Sequence, residues 1–197
     1  LLRQNAVASG PPQILFNDDV ESGGGSWTVD GTGPGGADFA ITSVLANSPV
    51  SSWFVPDPDS VSDRRLTLAQ AVSLPAVGQA SLRFAHRFEL EPTFDGGVLE
   101  YSIDNGATWQ DILAGAGSIS ANPSRILANG YTAVISGNFE SPIANRQAWT
   151  GGSGGGFVET LVDLSDFLGE DQELHGIEPR VADSGEGRWT AIEGIEQ

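Results

Sequence analysis

The chain has 197 residues, with 26 acidic against 9 basic side chains, a net charge of −17, and neither cysteine nor methionine. A length near 200 suits one all-β domain, and 39% hydrophobic residues supply a core. The charge repels nucleic acid and anionic membranes, no apolar run reaches the roughly 20 residues of a membrane helix, and the missing thiols exclude disulfides and cysteine-ligated zinc.

Residues 1–12 (LLRQNAVASGPP) carry one charge and end in Gly-Pro-Pro, which predicts an extended N-terminal arm or linker before a domain spanning 13–197. Short β-rich runs separated by Gly, Pro, Asn and Asp clusters then follow in order. The predicted strands are 14–16, 27–29, 53–55, 66–74, 80–90, 98–103, 108–113, 131–136, 157–164 and 189–195. The strongest is 80–90, where Leu82, Phe84, His86, Phe88 and Leu90 share one face and Arg83, Arg87 and Glu89 the other. Helical periodicity is confined to 165–170, with Ser165 as the expected cap. Residues 114–130 and 137–156 read as long connections. Many short strands with turn-rich connections indicate a two-sheet antiparallel β-sandwich, a jelly roll.

All nine cations are arginines, so the chain has no lysine for a Schiff base, a P-loop or an isopeptide crosslink. Leu at position 1 points to a processed chain or a fragment, and the low charge density with 26 glycines suits a secreted bacterial protein. Ser102-Ile-Asp104-Asn-Gly106-Ala-Thr108-Trp109 has the Asp-box pattern. In it a carboxylate closes a hairpin turn, a glycine supplies positive φ and the tryptophan packs beneath, which is scaffolding. Two acidic groups, Asp18, Asp19 and Glu21, and Asp57, Asp59 and Asp63, read either as solvated loops or as oxygen ligands for calcium, which takes about 6–8 of them.

Catalysis finds little support. His86 reads as a hydrogen-bonded core histidine, His175 stands alone, and no Gly-x-Ser-x-Gly elbow is present. Asp95 and Glu100 would suit a glycosidase pair, but Asp95 begins a turn and Glu100 alternates outward. Trp27, Trp53, Tyr131 and Trp149 are candidates for sugar stacking. Trp149, beside Arg146 and a Gly-rich run, is the expected exposed one, so Trp149 and Arg146 are the expected ligand-binding pair.

Several segments together resemble a known domain. Phe16-Asn-Asp18-Asp19-Val-Glu21-Ser-Gly23 with Trp27 is similar to its opening strand. Leu82-Arg-Phe84-Ala-His86-Arg-Phe88-Glu89 and Phe94-Asp95-Gly96-Gly97-Val-Leu-Glu100-Tyr-Ser102-Ile-Asp104 resemble its central hairpin. Gly130-Tyr131, Asn145-Arg146-Gln-Ala-Trp149-Thr-Gly151 and Val162-Asp163-Leu164-Ser165 match further on. The whole, over roughly 14–195, resembles the jelly-roll accessory domain found C-terminal to immune-inhibitor-A-type metallopeptidases and secreted subtilases, distantly related to MAM domains. That resemblance implies a β-sandwich, an extracellular location, no catalytic residues, and a structural calcium ion held by Asp19 and Glu21 with Glu193 at the terminal acidic position. The C-terminus departs from the pattern. Glu193-Gly194 replaces a paired Asp, and Pro179 removes a ladder donor, which points to an edge strand.

Two functions follow as expectations. The first is a subunit of a surface fibre that donates its N-terminal strand, through Leu1, Leu2, Val7 and Ile14, to a neighbouring copy and so forms a homo-oligomer or filament. The alternative is a calcium-stabilised accessory module of a secreted protease, binding glycan or protein.

Overall fold

A computed structural model describes residues 13–33, 38–56, 60–115 and 124–169, and the backbone of 173–174, 176–182 and 195–196. The strands are β1 (Ile14–Phe16), β2 (Trp27–Thr32), β3 (Ala40–Thr42), β4 (Ser52–Phe54), β5 (Asp63–Leu68), β6 (Val72–Ser73), β7 (Ser81–His86) and β8 (Gly96–Ser102). After these come β9 (Gln110–Asp111), β10 (Ile126–Ala128), β11 (Ala133–Val134), β12 (Gln147–Ala148), β13 (Val158–Asp163), β14 (Glu173–Leu174), β15 (Gly176–Ala182) and β16 (Ile195–Glu196). Two five-stranded antiparallel sheets, β1-β16-β7-β13-β10 and β2-β5-β15-β8-β9, form the sandwich. The all-β expectation holds.

Alternation along β7 builds the main core. Leu82, Phe84 and His86 are each at most 1% exposed, and Arg83 points out to an ion pair with Glu159. They meet Leu66, Leu68, Leu99 and Tyr101 from the second sheet, with Val162 and Leu164. β8 is buried along its whole length because both its faces are covered. Leu99 and Tyr101 enter the main core, whereas Val98 packs on the other side under Ile135, Ile143 and Ala148. This second core belongs to an insert around the β11–β12 pair, which lies against the outer face of β8. The close approach requires Gly96: a Cβ there would stand 2.7 Å from Ile135 Cδ1 and 2.8 Å from Ala148 Cβ.

The structure redraws several expected elements. The run 66–74 splits into β5 and β6 around a bend, and Asp63, expected in a loop, opens β5 with its carboxylate on Arg65. The helical segment is a single 3-10 turn, Ser165–Phe167, and Ser165 does not cap it. Asp163 instead accepts the Ser165 N–H at 2.8 Å. Pro179 lies in a central strand, not an edge. It stands opposite Leu99, whose N–H and C=O both turn away, toward Tyr131 Oη and the Ile112 N–H. The ladder between β15 and β5 begins one residue later, at Arg180, so neither neighbour needs a proline N–H. Residues 1–12 lie outside the described residues.

Candidate functional site

The outer face of the second sheet carries a row of paired charges. Register puts Asp30 beside Arg65 and Thr28 beside Thr67 on β2 and β5, and Glu100 beside Asp111 on β8 and β9. These side chains lie opposite the face that buries Leu66, Leu68 and Leu99. Arg146 reaches in from the insert and joins two strands. Its Nη1 donates to Glu100 Oε1 at 2.5 Å and its Nη2 to Asp111 Oδ2 at 2.7 Å. Burial by itself would lower the Arg146 pKa, but the hydrogen bond to Asp111 and the charge of Glu100 outweigh it, and the net shift is upward. Tyr131 Oη accepts the Leu99 N–H at 3.0 Å and lies 3.4 Å from Asp111 Oδ1. Burial, then the Asp111 charge, raise its pKa well above 10, so the phenol stays neutral. Arg65 is paired in the same way, to Asp63 at 2.9 Å and Asp30 at 3.6 Å.

At the rim stands Trp109, partly exposed. It stands immediately before β9, two residues from Asp111, and its ring lies over the turn at Gly106, where an added Cβ would be 3.8 Å from Trp109 Cζ2. The Asp-box beneath it is formed as expected. Asp104 accepts the Thr108 N–H at 2.8 Å and its hydroxyl at 2.6 Å, Ser102 Oγ accepts the Gly106 N–H at 2.9 Å, and Gly106 takes φ 77°. The hydrogen bonds from Thr108, first from its hydroxyl, hold the Asp104 carboxyl at about 2. A partly exposed indole at the Asp-box turn and a row of carboxylates and guanidinium groups on the sheet are chemistry for stacking and hydrogen bonding.

Trp149 is not an exposed platform. It is 1% exposed, packed between Phe84, His86 and Tyr131, with its Nε1 donating to Asn129 O at 2.8 Å. The bridge of residue 149 to Gly97 places it on the sheet, so alternation with Ala148 turns its ring into the main core. Trp27 and Trp53 are core residues too, and Asp18, 7% exposed, accepts the Trp27 Nε1–H at 2.6 Å. Asp95 and Glu100 do not form a pair: Asp95 Oδ2 takes the Glu91 N–H inside a turn while Glu100 faces Arg146. Of the expected ligand-binding residues, Arg146 alone joins the face. Reading the sequence missed Asp111 and Trp109, because Arg146 and Glu100 reach Asp111 only through tertiary pairing. The nearness of Trp109 to Asp111 in the sequence was the available signal.

The segment carrying Asp19 and Glu21 folds against residues 48–51. Glu21 Oε1 accepts the N–H groups of Val50 at 2.9 Å and Ser51 at 2.7 Å, bonds that lower its pKa. Asp19 caps the Glu21 N–H through its side chain. Three oxygens surround the Ser48 hydroxyl: Asp19 O at 2.9 Å, Ser51 O at 2.9 Å and Glu21 Oε1 at 3.2 Å. The hydroxyl, two main-chain carbonyls and one carboxylate together make a set of hard oxygen donors, in which Glu21 Oε1 also accepts the Val50 and Ser51 N–H groups. No group of three or more His, Cys, Asp or Glu side chains is gathered for a metal among the described residues, and Glu193 lies outside them. Of the expected self-assembly residues, Leu1, Leu2 and Val7 lie outside the described residues, and Ile14 is 59% exposed on edge strand β1.

The comparisons bear on this geometry through the fold. No protein-family model matches the chain, and no curated protein matches it. Among solved structures it is similar to the module TmCBM61, determined in complex with β-1,4-galactotriose, at 15% identity over 93% of this chain and 96% of that one, with a TM-score of 0.50. The fold is shared with a carbohydrate-binding module. A CBM22 xylan-binding domain from Paenibacillus barcinonensis is similar at 13% identity, covering 96% of this chain and 97% of its own, with a TM-score of 0.46. A cleaved adhesin domain of Lys-gingipain from Porphyromonas gingivalis gives 13% identity, 95% and 97% coverage, and a TM-score of 0.46. The chain therefore has a two-sheet β-sandwich fold. These likenesses do not single out the immune-inhibitor-A-type or MAM-like domains.

Proposed function

We propose that this domain is a non-catalytic glycan-binding module of an extracellular protein, stabilised by calcium. The observation that carries the reading is the outer face of the second sheet, where Arg146, Glu100 and Asp111 interlock beside Trp109 on a fold shared with a carbohydrate-binding module. Paired charges held by one another keep fixed geometry and offer acceptor and donor edges to sugar hydroxyls, and the indole offers a face for a pyranose ring. Affinity electrophoresis against a panel of soluble polysaccharides tests the reading. At least one should retard the protein, and Trp109→Ala or Asp111→Asn should weaken that retardation at least tenfold with unchanged circular dichroism. Binding that is indifferent to both substitutions would remove this face from the proposal.

Calcium enters the same reading. Glu21 would hold it through its carboxylate, Ser48 through its hydroxyl, and Asp19 and Ser51 through their main-chain carbonyls, drawing two loops together. With one carboxylate in the set the affinity belongs to the weak extracellular range, a Kd of ~0.1–1 mM. A calcium concentration ten times the Kd stabilises by about 1.4 kcal/mol. The melting temperature is expected to rise with calcium in the parent protein and not in Glu21→Gln; an equal rise in both would dismiss the site. Self-assembly through Leu1, Leu2, Val7 and Ile14 is the second reading, and Ile14 is 59% exposed on edge strand β1.

A further inference from the structure

Resting on the glycan-binding reading and adding a second site to it, we infer that the cleft between strand β1 and the bend joining β5 to β6 holds a saccharide unit, its ring against Phe16 and its hydroxyls on Ser26, Gln70 and Ser73. The cleft has a volume of about 420 Å³, within the roughly 300–1,000 Å³ of small-molecule sites. It opens where Trp27 stands opposite Leu68, and β5 is two strands from β8 in the sheet order. Leu68 faces the main core, so the cleft is separate from the outer face that carries Arg146.

Successive residues of a regular strand point to opposite faces, and β1 departs from that rule. Its pairing with β16 shifts register between Ile14 and Phe16, and Leu15 and Phe16 both pack toward the main core and both line the cleft. A bulge on an edge strand re-aims a side chain in this way. Phe16 is half-buried, and its ring meets Trp27 edge-on with centroids 6.0 Å apart. Trp27 is in turn fixed by its hydrogen bond to Asp18, so Phe16 is a stacking surface set in advance. The opposite wall is tied down as well: the Ala69 N–H donates to Ser26 O at 2.8 Å, joining the β5–β6 bend to the turn before β2. Leu68 and Val72, both buried, complete the apolar floor, and Ser26, Gln70 and Ser73 line the cleft with two hydroxyls and an amide. A pyranose has an apolar C–H face and a rim of hydroxyls that donate and accept. An aromatic floor with hydroxyl and amide groups around it matches both parts.

The test is an amide NMR titration of the whole chain with β-1,4-galactotriose, xylotetraose and cellotetraose, and separately with a synthetic peptide of residues 1–12. One of the saccharides is expected to shift the signals of Phe16, Ser26, Gln70 and Ser73. Ala71 is exposed on the cleft wall, so Ala71→Trp should fill the cleft and abolish those shifts, with shifts at Glu100 and Asp111 kept. Gln70→Ala should weaken binding in the cleft about tenfold, the loss of one hydrogen bond that leaves its partner unpaired. A saccharide that shifts Glu100 and Asp111 but not the cleft would overturn the inference and leave the glycan reading standing. Cleft shifts that survive Ala71→Trp would do the same. Shifts of the cleft by the peptide and by none of the saccharides would give it to the chain's own N-terminal segment, which also overturns the inference. If no saccharide shifts any signal, the glycan reading falls, and this site with it.

Discussion

Acidification from pH 7 toward 4.5 is expected to destabilise this domain steeply, and His86 is the reason. Its side chain is fully buried among Phe84, Phe88 and Trp149, with ring centroids 5.1, 5.3 and 4.9 Å away. Its Nε2 meets Thr160 Oγ1 at 2.9 Å, and that hydroxyl spends its own proton on Asn129 O at 3.0 Å. Nε2 is therefore the donor, in a neutral ring. Burial lowers the pKa from 6.5 to about 3. The unfolded chain takes up the proton first, so stability is complete above pH 6.5 and is lost as the pH falls toward 3. Each pH unit costs ~1.4 kcal/mol, about 5 kcal/mol in all, a large share of the 5–15 kcal/mol that holds an ordinary domain together. Urea unfolding at pH 7, 6, 5 and 4.5 reads this out. The parent should lose close to one proton's slope more than His86→Gln, whose own lower baseline does not enter the comparison. Parallel slopes in the two proteins would sink the prediction. The hydrogen-bonded carboxyls of Glu21 and Asp104, both held below their ordinary values, lose their contribution mainly below pH 4.5, and they are common to both proteins.

The second large effect concerns Arg125 and Asp166. Arg125 Nε donates to Asp166 Oδ2 at 3.0 Å with side chains 4% and 1% exposed. Its Nη1 donates to Ile112 O at 2.8 Å and Ala114 O at 2.7 Å, and the guanidinium lies 4.4 Å over the Phe167 ring. One arginine thus ties the chain leaving β9 to the 3-10 turn after β13. Asp166→Ala leaves a buried cation without its counter-ion, and such losses cost ~3–5 kcal/mol. For a domain this size that lowers the melting temperature by about 10 °C. Replacing both residues, Arg125→Met with Asp166→Leu, should recover part of the loss, because an apolar pair carries no uncompensated charge. Additive costs in that double-mutant cycle, or a loss under 1 kcal/mol for Asp166→Ala, would refute the assignment.

The two residues of the first argument were legible to different degrees. His86 was placed in the core by alternation alone, since it shares a face with Leu82, Phe84 and Phe88 over a clean period of two. Trp149 was misplaced for want of the same signal. It sits in a Gly-rich stretch with no alternation to read, and its burial depends on a bridge to Gly97, 52 residues earlier in the chain. The Asp-box was readable because all of its hydrogen bonds span four residues or fewer. Pro179 misled for the opposite reason. A proline forbids a donor at one position, and only the register of β15 against β8 and β5 decides whether a donor was wanted there.

What the order of residues determined by itself was local and periodic: an all-β chain, the core face of β7, the Asp-box hairpin, and a surplus of acid with no lysine. Those properties follow from steric preference, from alternation and from counting, none of which needs a distant partner. The assembly of the candidate site was decided in three dimensions. Arg146, Glu100 and Asp111 come from three separate elements, and an insert with a small core of its own holds Arg146 against β8. Which arginines are spent on which carboxylates is likewise a matter of register and side-chain reach. Charge composition limits what such a face can bind, but only folding says where the charges cancel.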